Sequence, residues 1–200
     1  ANMQPCLLKN GAVNYYLNKD DYNYKANGVD LADITSGNDG DVMIEIPKTA
    51  YMMYREGDYL YVKITDDPDA KLADERFCFY AHTRETEGDR EKLYIGAYLG
   101  NITGSILYSL SDKTITTMQT IGAFRASAQA KGSGYDIWSF YPITLIQCLY
   151  LIKYKNLDSQ SMIGIGTGGN ITGALNTNGF TYGIPSTNSR VKLFGIEDLW

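Results

Sequence analysis

One nearly continuous apolar segment constrains the fold of this chain more than any other feature. Residues 141–156 read YPITLIQCLYLIKYKN, with few polar side chains before Tyr154. Pro142 suits the first turn of a helix, where N–H groups lack an intrahelical acceptor, and Ser139 can serve as the N-cap. A helix that is apolar on nearly all sides must be covered on nearly all sides. We therefore predict a helix buried in a protein core, since the run is shorter than the roughly 20 apolar residues that span a membrane.

The composition is that of a folded protein with many short elements. Of its 200 residues, 44% are hydrophobic and 20% are charged, which is enough for one domain with a sizeable core. The 17 tyrosines and 20 glycines favour short strands joined by turns, and the same residues are common on adaptable binding surfaces. Acidic residues (23) outnumber basic ones (18), and no long basic run neutralises phosphates, so we expect no nucleic-acid partner.

Residues that could hold a metal ion or perform catalysis are sparse. Cys6, Cys78 and Cys148 form no C-x-x-C motif, and Cys148 is expected to be a buried small hydrophobe in the apolar helix. His82 is the single histidine, so we interpret it as a structural residue rather than a general base. The acidic stretch 66–74 lacks the spacing of an EF-hand and is expected to be a solvated loop. We therefore predict neither a metal site nor a cofactor.

The N-terminal part of the chain is rich in turn signals. Residues 1–10, ANMQPCLLKN, contain neither the charged region nor the apolar region of a signal peptide. Residues 1–40 are interpreted as a turn-rich lead-in, because Asn-Gly and Asp-Asp pairs recur along them. Within this lead-in only residues 12–17 are predicted to form a strand.

Clearer strand patterns follow the lead-in. Residues 41–54 place Val42, Ile44 and Ile46 on one face of a strand. Pro47 then breaks or bulges this strand, and a proline suits a sheet edge better than a sheet centre.

A hairpin is predicted next, with its turn at Glu56-Gly57-Asp58. Its second strand spans residues 59–65, and residues 93–99 form a further strand in the core sheet. The second hairpin strand alternates two sets of side chains, which are Tyr59, Tyr61, Lys63 and Thr65 on one face and Leu60, Val62 and Ile64 on the other.

A second, shorter helix is predicted over residues 120–131. Ile121, Phe124 and Ala128 fall on one side of it at helical spacing. The glycines of residues 132–134 end it in the usual way.

The long stretch 156–190 is rich in glycine and asparagine. Gly164, Gly166 and Gly169 match G-x-G-x-x-G, but the match follows a helix instead of a strand, so we interpret the stretch as an irregular loop. Loops of this length usually have a binding function.

Three residues of this loop are candidate ligand contacts. They are chosen for residue type and loop position: Asn176, Asn178 and Tyr182. Tyr rings give contact area at low entropic cost and Asn amides give adaptable hydrogen bonds. The alternative interpretation is that all three are turn and packing residues.

Five segments of the sequence follow one another in a recognisable order. They are DVMIEIPK (41–48), LYIGAYLG (93–100), TIGAFRASAQAKGSG (120–134), the apolar helix continued through NLDSQS (156–161), and FGIEDLW (194–200). Together they resemble phage tail proteins with the C-type-lectin fold of the formylglycine-generating-enzyme type. Variable proteins of diversity-generating retroelements share that fold. The resemblance spans nearly the whole chain.

This resemblance implies an α+β, C-type-lectin-like fold forming a single domain over residues 1–200. The two predicted helices would pack on small twisted antiparallel sheets, with long loops on one face. The sequence departs from the family in two respects, and the first is that nothing after Cys148 matches the late cysteine site of formylglycine-generating enzymes. The calcium-binding loops of lectins, which contain Glu-Pro-Asn or Gln-Pro-Asp, do not occur in the long stretch 156–190.

The resemblance also implies a function, namely a non-enzymatic receptor-binding or diversified variable protein of a phage tail fibre. The expected partners are a bacterial surface protein or glycan and other tail subunits, in the virion or at the bacterial cell surface, and tail fibres are commonly homotrimers. One alternative is a structural tail or baseplate component that binds only other tail subunits. A less favoured alternative is an enzyme of the formylglycine-generating type.

The family pattern continues beyond the point where this sequence stops. A segment such as GIEDLW runs on in the family into a Gly-Asn turn and further tryptophan-bearing strands. We therefore expect a C-terminal continuation of the protein, covalent or clipped, to be a partner of this chain. The last apolar side chains are expected to be largely buried: Phe194, Ile196, Leu199 and Trp200.

Overall fold

Short antiparallel strands and a few helices make up this chain, which confirms the predicted α+β class. The computed structural model describes residues 2–85, 87–167 and 170–199. The strands are β1 (Gln4–Lys9), β2 (Ala12–Tyr16), β3 (Asp41–Pro47), β4 (Ala50–Glu56), β5 (Tyr59–Thr65), β6 (Thr83–Arg84), β7 (Gly88–Asp89), β8 (Lys92–Gly96), β9 (Asn101–Thr103), β10 (Ile106–Tyr108), β11 (Lys192–Leu193) and β12 (Ile196–Glu197). The helices are α1 (Ala70–Ala73), α2 (Ile121–Gln129), α3 (Phe140–Tyr154) and α4 (Ser159–Ile163).

The largest sheet has four strands in the order β2-β1-β3-β8. The predicted inward face of β3 is confirmed, because Val42, Ile44 and Ile46 are all fully buried. The expectation that β3 is an edge strand is wrong, since it lies between β1 and β8. Pro47 is tolerated there because it is the last residue of the strand, where a missing N–H interrupts no interior hydrogen bonds.

Strand β1 was missed by the prediction of a turn-rich lead-in. It lies between β2 and β3, and residues 5–8 of it are buried without alternation. A strand that is covered on both faces has no alternation of apolar and polar residues. The apolar run of β1 therefore could not be recognised as a strand from its hydrophobic pattern. The neighbouring strand predicted over residues 12–17 is confirmed as β2.

The described residues divide into two compact units. The hairpin unit comprises residues 2–3, 46–94 and 138–157, and the sheet unit comprises residues 4–45, 95–137 and 158–199. The expectation of a single domain over residues 1–200 stays a prediction.

The hairpin unit is built on the antiparallel pair β4–β5. Glu56 pairs with Tyr59 across a two-residue turn in which Gly57 has φ +57°, and this confirms the predicted hairpin. At the base of the hairpin, Ala50 packs in a small apolar cluster with Ala70 of α1 and Phe79. Helix α3 packs along β5 and also touches β4.

The predicted apolar helix is confirmed as α3. It begins after Ser139, which occupies the N-cap position without a side-chain cap hydrogen bond, and Pro142 lies in its first turn as expected. Lys155 ends the helix in a left-handed conformation with φ 52°. None of the helices in the described ranges is long and apolar enough to cross a bilayer.

The prediction that this helix is buried on nearly all sides is wrong. Leu145 and Cys148 are fully buried, but Ile143 and Ile152 are exposed and Leu149 is only half-buried. One stripe of the helix is covered because the hairpin lies along one side of it.

Helix α2 of the sheet unit confirms the second predicted helix. The Thr120 hydroxyl accepts a hydrogen bond from the Ala123 N–H at 3.2 Å and so caps the first turn. Ala128 is buried, whereas Ile121 is 71% exposed, so the predicted apolar face is wrong at its first residue. The helix lies against β10, and Gly132 follows its end with φ +134°.

Most of the long loop is irregular, as predicted, although a short helix was missed. Helix α4 begins after Asp158, whose carboxylate accepts a hydrogen bond from the Ser161 N–H at 3.0 Å. Gly164 and Gly166 of the G-x-G-x-x-G segment have positive φ, and Gly169 lies outside the described residues.

Candidate functional site

The three candidate ligand residues lie in the last segment of the sheet unit, residues 170–199. This segment has almost no regular structure apart from the two-residue strands β11 and β12. A loop of this kind can present side chains reproducibly only if other contacts order its backbone. The segment is ordered by polar side chains that are buried or half-buried.

Asn176 is held from three sides. Its amide Nδ2 donates to the Ser111 hydroxyl at 2.8 Å, and its Oδ1 accepts a hydrogen bond from the Tyr98 hydroxyl. Its backbone carbonyl accepts from the Tyr22 N–H at 3.0 Å. Burial, in the first place, raises the pKa of Tyr98 well above its usual range, so this phenol stays a donor. The side chain of Asn176 therefore orders the segment from within.

Asn178 and Tyr182 have less restrictive surroundings. Both are half-buried. The Asn178 N–H donates to the Leu175 carbonyl at 3.2 Å, which closes a turn. Tyr182 exchanges two backbone hydrogen bonds of 2.7 Å with Lys192. Their backbones are thus fixed while their side chains keep access to solvent.

Lys192 anchors the segment through its buried ammonium group. The ammonium donates to the Leu175 carbonyl at 3.0 Å and lies 3.6 Å from the centre of the Tyr22 ring. The Tyr22 hydroxyl in turn donates to the Gly195 carbonyl at 3.1 Å. Burial, opposed by the negative charge of Glu197, lowers the pKa of Lys192 to about 8.

Arg190 makes a second anchor with two acidic residues of the chain end. Its guanidinium donates to Glu197 at 3.0 Å and to Asp198 at 3.2 Å, and it also donates to the Ile171 carbonyl. The other Glu197 oxygen accepts the Gly173 N–H at 2.7 Å. Burial raises the pKa of both carboxyl groups, and the hydrogen bonds and the Arg190 charge oppose that rise.

Close backbone contacts join residues 183–184 of the loop to residues 163–164 at the end of α4. A Cβ added to Gly183 would lie 1.9 Å from the Ile163 carbonyl oxygen, and one added to Gly164 would lie 2.5 Å from that of Ile184. Only glycine permits these approaches. The neighbouring residues 184–188 are all exposed. Residues 184–188 therefore form a short exposed stretch that begins next to tightly packed backbone at Gly183.

The predicted burial of the last apolar residues is met in part. Ile196 is buried, whereas Phe194 and Leu199 are half-buried. Trp200 lies outside the described residues. Phe194 and Leu199 are thus less completely buried than Ile196.

His82 belongs to the hairpin unit and is fully buried. Both of its ring nitrogens lack a hydrogen-bond partner within the described part of the chain. Burial, with the positive charge of Arg84 next in size, lowers the pKa of His82 to about 4. The ring is therefore neutral at physiological pH.

The acidic stretch 66–74 contains a charge pair. Asp74 forms a two-pronged pair with Arg76, with distances of 2.9 Å and 2.7 Å. Across residues 2–85, 87–167 and 170–199, no three His, Cys, Asp or Glu side chains form a group suited to a metal ion. Cys6 is buried, Cys78 and Cys148 are free thiols, and burial raises the pKa of Cys148 to about 11.

A second surface feature was not predicted from the sequence. It is the tyrosine ridge, which we define as the half-buried Tyr54 and the exposed Tyr59 and Tyr61. The Tyr54 and Tyr61 rings are stacked with centroids 4.9 Å apart, and Tyr59 lies 6.5 Å from Tyr61. The alternation of Tyr59 and Tyr61 along β5 was the available signal. The alternation did not show that Tyr54 of the neighbouring strand lies opposite Tyr61.

Comparison of the chain with protein-family models, with curated proteins and with solved structures finds no match.

Proposed function

We propose that this chain is a non-enzymatic ligand-binding module of C-type-lectin-like fold, a receptor-binding or diversified variable protein of a phage tail fibre. Its ligand is a bacterial surface protein or glycan. Support comes from the five ordered sequence segments and from the small antiparallel sheets and few helices, which agree with such a fold at the level of class.

The observation that carries the proposal is the contrast within residues 170–199. The base of this segment is ordered by Lys192, Arg190 and Asn176, whereas Tyr182 and Asn178 are half-open to solvent. A binding loop gains affinity when its backbone is ordered before the ligand arrives. Ordered loops carrying Tyr and Asn are typical of adaptable binding surfaces.

The proposed contact side chains are Tyr182 and Asn178. Asn176 contributes indirectly, because its amide is already engaged by Tyr98 and Ser111 and positions the loop.

The proposal is tested by measuring adsorption of the labelled chain to a panel of bacterial strains. Tyr182→Ala should weaken binding to a recognised strain by about tenfold, the usual effect of losing an aromatic anchor. Leu72→Ala is the control, because Leu72 is an exposed apolar side chain of the hairpin unit and lies outside the proposed binding loop. Equal binding of the Tyr182→Ala variant and the wild type, with the melting temperature unchanged in both, would contradict the proposal. Binding to isolated tail subunits but to no bacterium would favour a structural tail component.

A further inference from the structure

The tyrosine ridge forms because of the register of the hairpin. Tyr54 lies directly opposite Tyr61, and Tyr59 is two residues nearer the turn than Tyr61. Directly opposed residues share a face of the sheet, and so do residues two apart along a strand. All three rings therefore stand on one face of β4–β5.

The base of that same face is closed. Ala50, four residues before Tyr54, packs with Ala70 and Phe79 and is fully buried. Met52, between Ala50 and Tyr54 on this face, is also buried. The half nearer the turn is left open, and the tyrosines occupy it.

The rings form a row of successive contacts. The Tyr54 and Tyr61 rings are nearly parallel, with an interplanar angle of 9°. The guanidinium of Arg76 lies 4.1 Å from the centre of the Tyr54 ring. Tyr59 ends the row at the other side and is 72% exposed. The row thus begins at the Arg76 guanidinium and ends at the solvent-exposed ring of Tyr59.

The charged end of the row is also fixed. Asp74 holds Arg76 by two hydrogen bonds, and this pairing lowers the pKa of Asp74 to about 2. The fork uses Nε and one terminal nitrogen of the guanidinium, so the pair keeps further N–H donors and carboxylate lone pairs for a ligand. Lys63 and Glu56, on the same face, are exposed and of opposite charge.

This chemistry selects one class of ligand. One face of a pyranose ring carries C–H groups whose hydrogens are weakly positive. These hydrogens suit the negative π face of an aromatic ring. Its paired hydroxyl groups suit a planar array of fixed donors and acceptors. The opposite charges of the ridge nearly cancel, so no field favours a polyanion, and the net charge of −5 disfavours single-stranded nucleic acid, which also stacks on aromatic rings.

We propose that the tyrosine ridge, together with Arg76 and Asp74, binds a neutral glycan of several sugar units, with one sugar ring stacked on Tyr59 and the hydroxyl groups of another unit bonded to Arg76 and Asp74. This site lies in the hairpin unit and is independent of the loop residues Asn178 and Tyr182. Each site can fail its test without affecting the other.

Calorimetric and NMR titrations of the whole chain test the proposal. The probes are neutral gluco-, manno- and galacto-oligosaccharides, with a sulfated oligosaccharide for comparison. One or more neutral probes should bind and shift the resonances of the ridge. Tyr59→Ala should lower the affinity about tenfold, as expected for one stacking partner, whereas Tyr59→Phe should keep most of it.

Tyr80→Ala is the matched control, because Tyr80 is an exposed tyrosine of the same unit that contacts Tyr141 instead of the ridge. Its affinity should equal that of the wild type. The proposal is overturned if no neutral probe binds, if the sulfated probe binds more tightly and in a salt-dependent way, or if Tyr59→Ala and Tyr80→Ala have equal effects. Capture of a protein by the ridge without any glycan binding would also overturn it.

Discussion

The ammonium group of Lys192 lies 3.6 Å from the centre of the Tyr22 ring, and both side chains are almost completely buried. Tyr22 also reaches Gly195, 173 positions further along the chain. A single aromatic side chain of the N-terminal region therefore orders the end of the chain, next to the proposed binding loop.

Replacement of Lys192 separates its charge from its packing. Lys192→Met keeps the apolar stem but removes the ammonium donor of the buried Leu175 carbonyl, so its free energy of unfolding should fall by about 1–3 kcal/mol. Lys192→Ala also leaves a cavity and should lose about 2–5 kcal/mol. Urea unfolding of both variants checks this, and an unchanged midpoint for Lys192→Met would show that the ammonium group does not anchor the segment.

Gly195 should not tolerate a side chain. Its φ is +86°, and an added Cβ would lie 2.4 Å from the Tyr22 hydroxyl and 2.7 Å from Ile44. Gly195→Ala should therefore destabilise by more than about 2 kcal/mol. Gly57→Ala is the control, because Gly57 also has positive φ but nothing lies within 4 Å, and about 1 kcal/mol is expected. Similar melting temperatures for the two variants would contradict the close approach at Gly195.

Removing Arg190 should leave two buried carboxylates without their cation. Arg190→Met is expected to destabilise by about 3–5 kcal/mol and to increase hydrogen exchange in residues 170–199. Arg125→Met removes the exposed pair with Asp136 and should change stability by less than about 1 kcal/mol. Unchanged exchange in the Arg190→Met variant would mean that the ionic anchor does not order the loop.

His82 should make stability depend on pH in mildly acidic solution. Its pKa is about 4 in the folded chain, against a usual value of 6.5, so the unfolded chain binds more protons between these values. Stability should therefore fall as the pH falls from 6.5 to 4, by up to about 3 kcal/mol. Below pH 4 protonation of His82 causes no further loss of stability.

The His82 prediction is checked by denaturant unfolding across that pH range. In His82→Phe the part of the slope due to this residue should vanish, whatever the absolute stability of the variant. The charged neighbours Arg84, Asp89 and Lys48 remain in place and provide the background. A slope as steep in the variant as in the wild type would assign the acid sensitivity to other groups.

Helix α3 should be sensitive on one stripe only. Leu145→Ala removes a fully buried side chain and should destabilise by about 2–5 kcal/mol. Ile152 is 44% exposed, so Ile152→Ala should have a smaller effect, within about 1 kcal/mol. Leu149→Ala, at a half-buried position, should fall between them. Equal midpoints for the Leu145 and Ile152 variants in urea would contradict the one-sided packing.

Local rules account for the elements that were predicted. The hairpin needs only the Gly57 turn and two alternating strands, and α2 needs only a cap at Thr120 and a glycine after its end. Strand β1 and helix α4 were missed because one lacks alternation and the other is only five residues long.

The candidate site was less accessible to such rules. Residue type and loop position selected Asn176, yet its amide is engaged by Tyr98 and Ser111, 78 and 65 positions away. No local pattern encodes partners at such separation. The stacking of Tyr54 on Tyr61 likewise depends on cross-strand register, which is read from the paired strands and not from either strand alone.

The sequence by itself determined the α+β class, the positions of α2, α3 and the β4–β5 hairpin, and the irregular character of the long loop, because these follow from periodicity, caps and turns. The tertiary structure decided which stripe of α3 is covered, which polar side chains of the loop face inward, and where the tyrosines are left exposed. Those outcomes depend on burial, and burial is a property of the neighbours that a residue acquires only when distant segments pack together.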